Sequence, residues 1–435
     1  MLLDAFYLVL VIVSAPWWIR KKRGGWRERF GHVSPPTTSG RPRLLIHAVS
    51  VGEVNLTRRL VALLARECDV IVSVTTDTGI ARARELFQSA AGVTIVRFPL
   101  DATWMVRRFL DAVQPDAVGL VELEVWPNFI RACEKRGVPV AILNGRLSER
   151  SFGRYRLARP LLGRGFASLA ACAVQDETYR ARFIAVGAPA DRCAVLGSMK
   201  WDSVDDAVEP DAADALARDL GVDRSRPLIV AGSTAPDEHA LLHAAMPSGV
   251  QLLCAPRRPE WFDDAARDLP GCVRRSSGPA RNRHSADRYL LDSIGELRTA
   301  YVLADVAVVG RSFGDLYGSD PMEPASLGKP VVIGPSVADF AEPVGVLRDA
   351  GALIQTTREG LPAVLESLIR DTDERLAIGA RARACVSANR GATERHAALL
   401  RRLLRDTRAG GAPTDSRQIG ERKPAHAQRR IRTRV

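Results

Sequence analysis

Short apolar runs alternating with helical patterns constrain this chain more than any other feature. Runs at 43–49, 69–75, 93–98, 116–121, 138–143 and 169–174 are separated by helical spacing such as 54–66, 79–89 and 103–113. Strands that are apolar throughout and joined by helices require a parallel sheet covered on both faces. The pattern lapses in an Asp/Ala-rich stretch at 203–226 and restarts at Pro227–Gly232. A second series follows at 250–254, 288–291, 305–310, 330–334 and 352–355, with helical patterns at 237–246, 294–304, 322–328, 360–370 and 373–388. A chain of 435 residues exceeds what one hydrophobic core organises. Two successive α/β domains with an interdomain cleft are the simplest account. The boundaries predicted are an anchor with basic flank at 1–34, a first domain at 41–203 and a linker at 204–226. A second domain at 227–407 and a disordered basic tail at 408–435 complete the chain.

The termini carry separate signals. Ala5 to Ile19 is apolar apart from Ser14, ends in Pro16-Trp17-Trp18 and is followed by Arg20-Lys21-Lys22-Arg23. Fifteen residues fall short of the roughly 20 that span a bilayer as a helix. No small-residue cleavage site follows, which disfavours a removable signal peptide. Paired Trp beside a basic cluster matches an interfacial belt with a cytoplasmic flank, so a membrane anchor is expected, spanning or embedded in one leaflet. From Arg408 to Val435 there are eight Lys/Arg and two Asp/Glu, half of the net charge of +12. That tail has no aromatic residue to stack on bases, so a solvated end is expected rather than nucleic-acid binding. The seven Cys are scattered with no C-x-x-C spacing, and of the seven His only His239 and His243 stand four positions apart. Neither a disulfide framework nor a zinc site is indicated.

The candidate chemistry clusters where apolar runs end. His47-Ala48-Val49-Ser50-Val51-Gly52-Glu53 runs from a strand directly into a helix, at the carboxyl end where open α/β sheets place ligands. Ser50 and Glu53 also fit a capping box, so capping and catalysis both stand as readings of Glu53. Glu122 and Glu124 follow the strand 116–121; a first-turn position before Pro127 explains Glu124 more easily than Glu122. Lys200 lies in Gly197–Asp202 at the end of the first domain, either on the surface or facing an anionic substrate. Pro256-Arg257-Arg258 follows the strand 250–254, and Arg suits phosphate or carboxylate. Ser293-Ile294-Gly295-Glu296 reads as a second S-x-x-E start. Asp320-Pro321-Met322-Glu323 reads as an Asp cap with Pro at the first helical position. The Gly-rich stretch 310–318 before it is expected to cradle phosphate at that helix N-terminus. No G-x-G-x-x-G follows the first strand and no Walker loop occurs, which argues against a dinucleotide oxidoreductase or a P-loop enzyme.

Together these motifs resemble the 3-deoxy-D-manno-octulosonic acid (Kdo) transferases of lipopolysaccharide synthesis, from the anchor to about residue 390. Besides those above, the resemblance takes in Thr75–Gly79, Asn144–Ser148, Gly232-Ser233-Thr234 and Pro321-Met322-Glu323-Pro324. It implies a GT-B glycosyltransferase with two Rossmann-like domains, at the inner membrane with its catalytic domains on the cytoplasmic face. It further implies CMP-Kdo as donor, a lipid A precursor (lipid IVA) as acceptor, inversion at the anomeric centre, and no metal or cofactor. Carried over, Glu53 would be the general base, with Glu122 and Lys200 stabilising the transition state. Pro256, Arg257, Ile294, Gly295, Glu296, Asp320, Pro321, Met322 and Glu323 would hold CMP. The chain departs from the family at Ala235, Arg258, Ser319-Asp320 and within Gly334–Phe340. Asp320 in place of Asn sets a negative charge beside an anionic donor. Transfer of a related acidic sugar, a different acceptor, or a non-catalytic CMP- or lipid-binding protein are the alternatives.

Overall fold

The computed structural model describes residues 24–36, 39–204, 210–278 and 286–410. It divides into two compact units: the described residues up to Ser203 together with those from Gly391 onward, and Val204–Arg390.

The first unit is built on seven parallel strands: β1 (Arg43–Ala48), β2 (Asp69–Val74), β3 (Val93–Arg97), β4 (Ala117–Val121), β5 (Val140–Gly145), β6 (Ala171–Val174) and β7 (Cys193–Val195). Their spatial order is β3-β2-β1-β4-β5-β6-β7. The order reverses between β1 and β4, which pair in register from Leu44↔Ala117 to His47↔Leu120. Such a reversal opens a crevice at the strand carboxyl ends, because the two following connections diverge to opposite faces. One face is covered by the helices Val51–Leu64, Asp77–Phe87 and Ala392–Arg408, the other by Thr103–Val113, Pro127–Glu134, Arg159–Ala167 and Glu177–Val186. Strands buried on both faces explain why their sequence reads as unbroken apolar runs.

The second unit repeats the plan with β8 (Leu228–Thr234), β9 (Gln251–Pro256), β10 (Val273–Arg274), β11 (Arg288–Leu290), β12 (Val306–Val309), β13 (Val331–Ile333) and β14 (Leu353–Gln355). All pair in parallel in the order β10-β11-β9-β8-β12-β13-β14, so its reversal falls between β8 and β12.

Two boundaries differ from the sequence reading. The expected linker 204–226 contains the helix Pro210–Leu220, whose Ala213, Leu216, Ala217 and Leu220 enter the second unit's core. Their i, i+3, i+4, i+7 spacing is a helical stripe, concealed by the small alanines. The helix Ala392–Arg408, expected in the second domain, packs on the first sheet through Leu399, Leu400, Leu403 and Leu404. Burying a leucine contributes about 1.5–3 kcal/mol, so this stripe outweighs proximity in sequence. Asp202 fixes the helix start by accepting from the amides of Gly391 and Thr393 at 2.6 Å each. His396 accepts from the Asn144 amide through Nε2 (2.9 Å) and donates from Nδ1 to Ala392 O (2.7 Å).

The apolar run 5–19 lies outside the described residues, as does the tail beyond Gly410. No helix among the described residues is long and apolar enough to cross a membrane.

Candidate active site

At the first sheet's reversal, Ser50 caps the helix Val51–Leu64: its Oγ accepts from the Glu53 amide at 3.4 Å and donates to Glu53 Oε1 at 2.9 Å. Glu53 Oε2 accepts from the Val49 amide at 2.8 Å. A carboxylate offers about four lone-pair sites, so roughly two remain open after these bonds. The capping geometry therefore leaves Glu53 able to accept another hydrogen bond. Burial pushes its carboxyl above the ordinary value and the Glu122 charge adds to this, while the Val49 and Ser50 bonds oppose it. Thr76 holds the turn from the next strand, donating from Oγ1 to Val49 O at 2.8 Å. Beneath it His47 is wholly buried, stacked on Phe98 at 3.8 Å and bonded through Nδ1 to Ser73 Oγ at 3.0 Å. Burial lowers its pKa to about 3, so it is neutral at physiological pH.

The turn after β4 brings in two more carboxylates. Glu122 has φ of 60°, a left-handed conformation uncommon for a residue with a side chain. Its amide donates to Leu143 O at 2.8 Å, which pins the turn to β5. Outliers of this kind persist only where the surroundings over-determine them, and they cluster at functional sites. Glu124 accepts from Trp126 Nε1 at 2.8 Å. Burial pushes the Glu124 carboxyl up to about 7, with Glu53 and Glu122 adding to it and the indole N–H opposing.

Neither glutamate caps the following helix, in contrast to the first-turn reading. Asp101, from the loop after β3, accepts from the amides of Asn128 (3.1 Å) and Phe129 (2.8 Å). The cap is thus supplied from 27 positions upstream, which local spacing does not reveal. Glu122 and Glu124 are left for the crevice.

Lys200 sits in the 3-10 turn Met199–Asp202, which packs against the helix that begins beside Glu53. Asn144 positions that turn, accepting from the Met199 amide at 2.8 Å through Oδ1. Asp202 holds its other end on the C-terminal helix.

In the second unit the start of the Gly-rich stretch is engaged inside the protein. Glu238, wholly buried, accepts from the amides of Ala235 (2.9 Å), Arg311 (2.8 Å), Ser312 (2.8 Å) and Phe313 (3.0 Å). The loop's first N–H groups are consumed inside the protein. The S-x-x-E reading at 293–296 also changes, since Glu296 itself stands at the N-cap of the helix Leu297–Leu303. Its carboxylate takes a forked bond from Arg275 at 3.1–3.2 Å and the Ser293 hydroxyl. Ile294 is exposed and Gly295 has φ of 96°. Pro321 is the N-cap of the helix Met322–Ser326 rather than its first residue, and Asp320 Oδ1 accepts from the Met322 amide at 2.8 Å.

Asp320 and Glu323 both act on the buried Tyr301 phenol, which burial and their charges raise well above its ordinary value. Tyr301 in turn lies against Gly232 in β8, where an added Cβ would collide with its hydroxyl. Arg257 follows β9 with its amide bonded to Thr234 O at 3.0 Å and its side chain exposed. Arg258 lies over the Trp261 ring at 5.1 Å. Among the described residues no group of three His, Cys, Asp or Glu is disposed to hold a metal ion.

A family model described as 3-deoxy-D-manno-octulosonic-acid transferase (kdotransferase) matches residues 24–203. The 3-deoxy-D-manno-octulosonic acid transferase of Bordetella pertussis is 33% identical over 405 residues, covering 87% of this chain and 93% of that protein. The chain belongs to the Kdo transferase family. The Haemophilus influenzae transferase of the same name is 30% identical over 396 residues, covering 86% and 90%. In fold, the family member described here is similar to Anabaena HepE solved with UDP: TM-score 0.55, 14% identity, 83% of this chain and 100% of that one. The chain is thus α/β with two parallel sheets and a GT-B-like fold.

Sequence reasoning missed Asp101, Glu238 and Tyr301 and undervalued Glu124. For Glu238 a local signal existed: it lies three residues after Ala235, at the step that separates Glu53 from Ser50.

Proposed function

We propose that this Kdo transferase moves Kdo from CMP-Kdo to a hydroxyl of the lipid A precursor, with inversion and with Glu53 as base. The observation that carries the reading is a half-buried glutamate at the first sheet's reversal, with acceptor sites still open and two further carboxylates beside it. The acceptor oxygen bonds to the anomeric carbon of Kdo as Glu53 takes its proton; the bond to the CMP phosphate oxygen breaks and its electron pair leaves with CMP. Lys200 and Glu122 stabilise the transition state, and Arg257 offsets charge gathering on the phosphate. Pro256, Ile294, Gly295, Glu296, Asp320, Pro321, Met322 and Glu323 are assigned to CMP. Since Glu296 is already paired with Arg275, its contribution is to order that loop. The apolar run 5–19 holds the chain at the inner membrane, where the acceptor resides, with both units on the cytoplasmic side.

Membranes containing the full chain, incubated with CMP-Kdo and lipid IVA, test this. Transfer by wild type and its loss in Glu53→Gln are expected. Transfer only from another sugar nucleotide would sink the donor assignment, and full activity in Glu53→Gln would sink the base.

A further inference from the structure

The described N-terminal segment inverts the usual distribution of side chains. In the helix Trp26–Arg29 the buried residue is Arg29, at 3% exposure, while Trp26 is 40% exposed. The inward side is an ion network: Arg97 bonds Glu28 (3.3 Å) and Asp77 (2.7 Å), and Arg29 reaches Asp77 at 3.4 Å. This fixes the segment on β3 with its aromatic residues outward. Trp26 and Phe30 have ring centroids 5.9 Å apart, and Phe30 and Trp104 6.2 Å apart, stacked.

Trp104, 53% exposed, lies on the solvent-facing stripe of the helix Thr103–Val113, whose opposite side buries Met105, Val106, Phe109, Leu110 and Val113. Its stripe neighbours, at three and four positions on, are Arg107 and Arg108, and the Arg108 guanidinium lies over its ring at 5.2 Å. Arg27 is exposed beside Trp26. A contiguous aromatic patch rimmed by cations is not a neutral surface.

We propose that Trp26, Phe30 and Trp104, rimmed by Arg27, Arg107 and Arg108, dock on an anionic lipid bilayer. Tryptophan beside arginine suits the headgroup layer, where one end of the side chain is apolar and the other wet. The patch is continuous in sequence with Trp17-Trp18 and with the four cations Arg20–Arg23, which add attraction to anionic headgroups. A second copy of the chain fits less well, because symmetric pairing would set the arginine rim against itself. The surface extends the reading of 5–19 as a membrane segment: a run too short to span comfortably gains a second contact.

Flotation of the full chain with vesicles of phosphatidylethanolamine and phosphatidylglycerol, and with vesicles of phosphatidylcholine alone, tests the patch separately from the apolar run. The triple variant Trp26→Ser, Phe30→Ser, Trp104→Ser is expected to lower partitioning about tenfold or more with thermal melting unchanged. Arg27→Glu with Arg107→Glu is expected to weaken binding to the anionic vesicles only; this pair and Trp104→Ser alone keep the test open if the triple variant folds poorly. Leu10→Asp with Ile12→Asp probes the apolar run. Loss of binding there, with all patch variants partitioning like wild type, would overturn the patch and keep the anchor. Loss in the patch variants alone would support the patch and remove the anchor. Altered self-association in sedimentation with vesicle binding intact would overturn the patch.

Discussion

Glu53 and Glu238 hold the same station in two sheets built to one plan. Each is the third residue of the helix that follows its unit's first strand, and each stands beside the point where strand order reverses. Both reach back toward the chain before the helix, Glu53 to the Val49 amide and Glu238 to the Ala235 amide. There the likeness stops. Glu238 takes two amide bonds on each oxygen, which fills its lone-pair sites and ties the loop after β12 to the start of the helix Pro236–Ala244. Glu53 takes one amide and one hydroxyl and faces other carboxylates instead of a row of N–H donors. The station in the fold delivers a carboxylate to the crevice. What the next loop presents to it decides between a staple and a base.

The comparison can be broken by exchanging the consequences. Glu53→Gln should lower transfer by about 10²–10⁴-fold while leaving the melting temperature near wild type, because the amide keeps a capping oxygen but takes no proton. Glu238→Ala should do the reverse. Four amides lose their acceptor at once, so chemical denaturation should show a loss of more than about 3 kcal/mol. A catalytic collapse in Glu238→Ala without loss of stability would erase the distinction.

Two smaller effects sharpen it. Glu53 must be ionised to act, so kcat/KM should rise with pH through its raised pKa. Ser50→Ala removes a bond that favours the ionised form, moving that limb to higher pH, and costs about 1 kcal/mol of helix capping. Glu124 tests the crevice electrostatics through stability. Its folded pKa of about 7 lies above the ordinary 4.5, so the folded state binds the proton more tightly. Stability falls as pH rises across that window. Glu124→Gln should remove the penalty, raising the melting temperature by about 2–4 °C above pH 7 and leaving it unchanged below about pH 4. Calorimetry across pH checks the sign.

Much of this was legible in the chain. Twelve of the fourteen strands stand where apolar runs are read; β7 and β10, the last strand of the first sheet and a two-residue edge strand of the second, are not among them. The Ser50–Glu53 turn was legible because a strand, a cap and a helix each leave a local pattern there. Other features joined residues far apart. Asp101 caps a helix that the sequence assigned to acids at its own start, and Asn144 meets His396 across 252 positions. At the Gly310–Gly318 loop glycine marks a permissive backbone, but the acceptor of the Arg311, Ser312 and Phe313 amides is Glu238, more than seventy residues earlier.

The sequence by itself determined most of the elements, the two-sheet plan and the carboxylate at the first reversal, since these follow from hydrophobic period and capping chemistry within a few residues. Only the tertiary structure decided which carboxylate stays open. A hydrogen bond is settled within about 3 Å, and the partners that fill Glu238 while sparing Glu53 come from loops brought into reach by strand order.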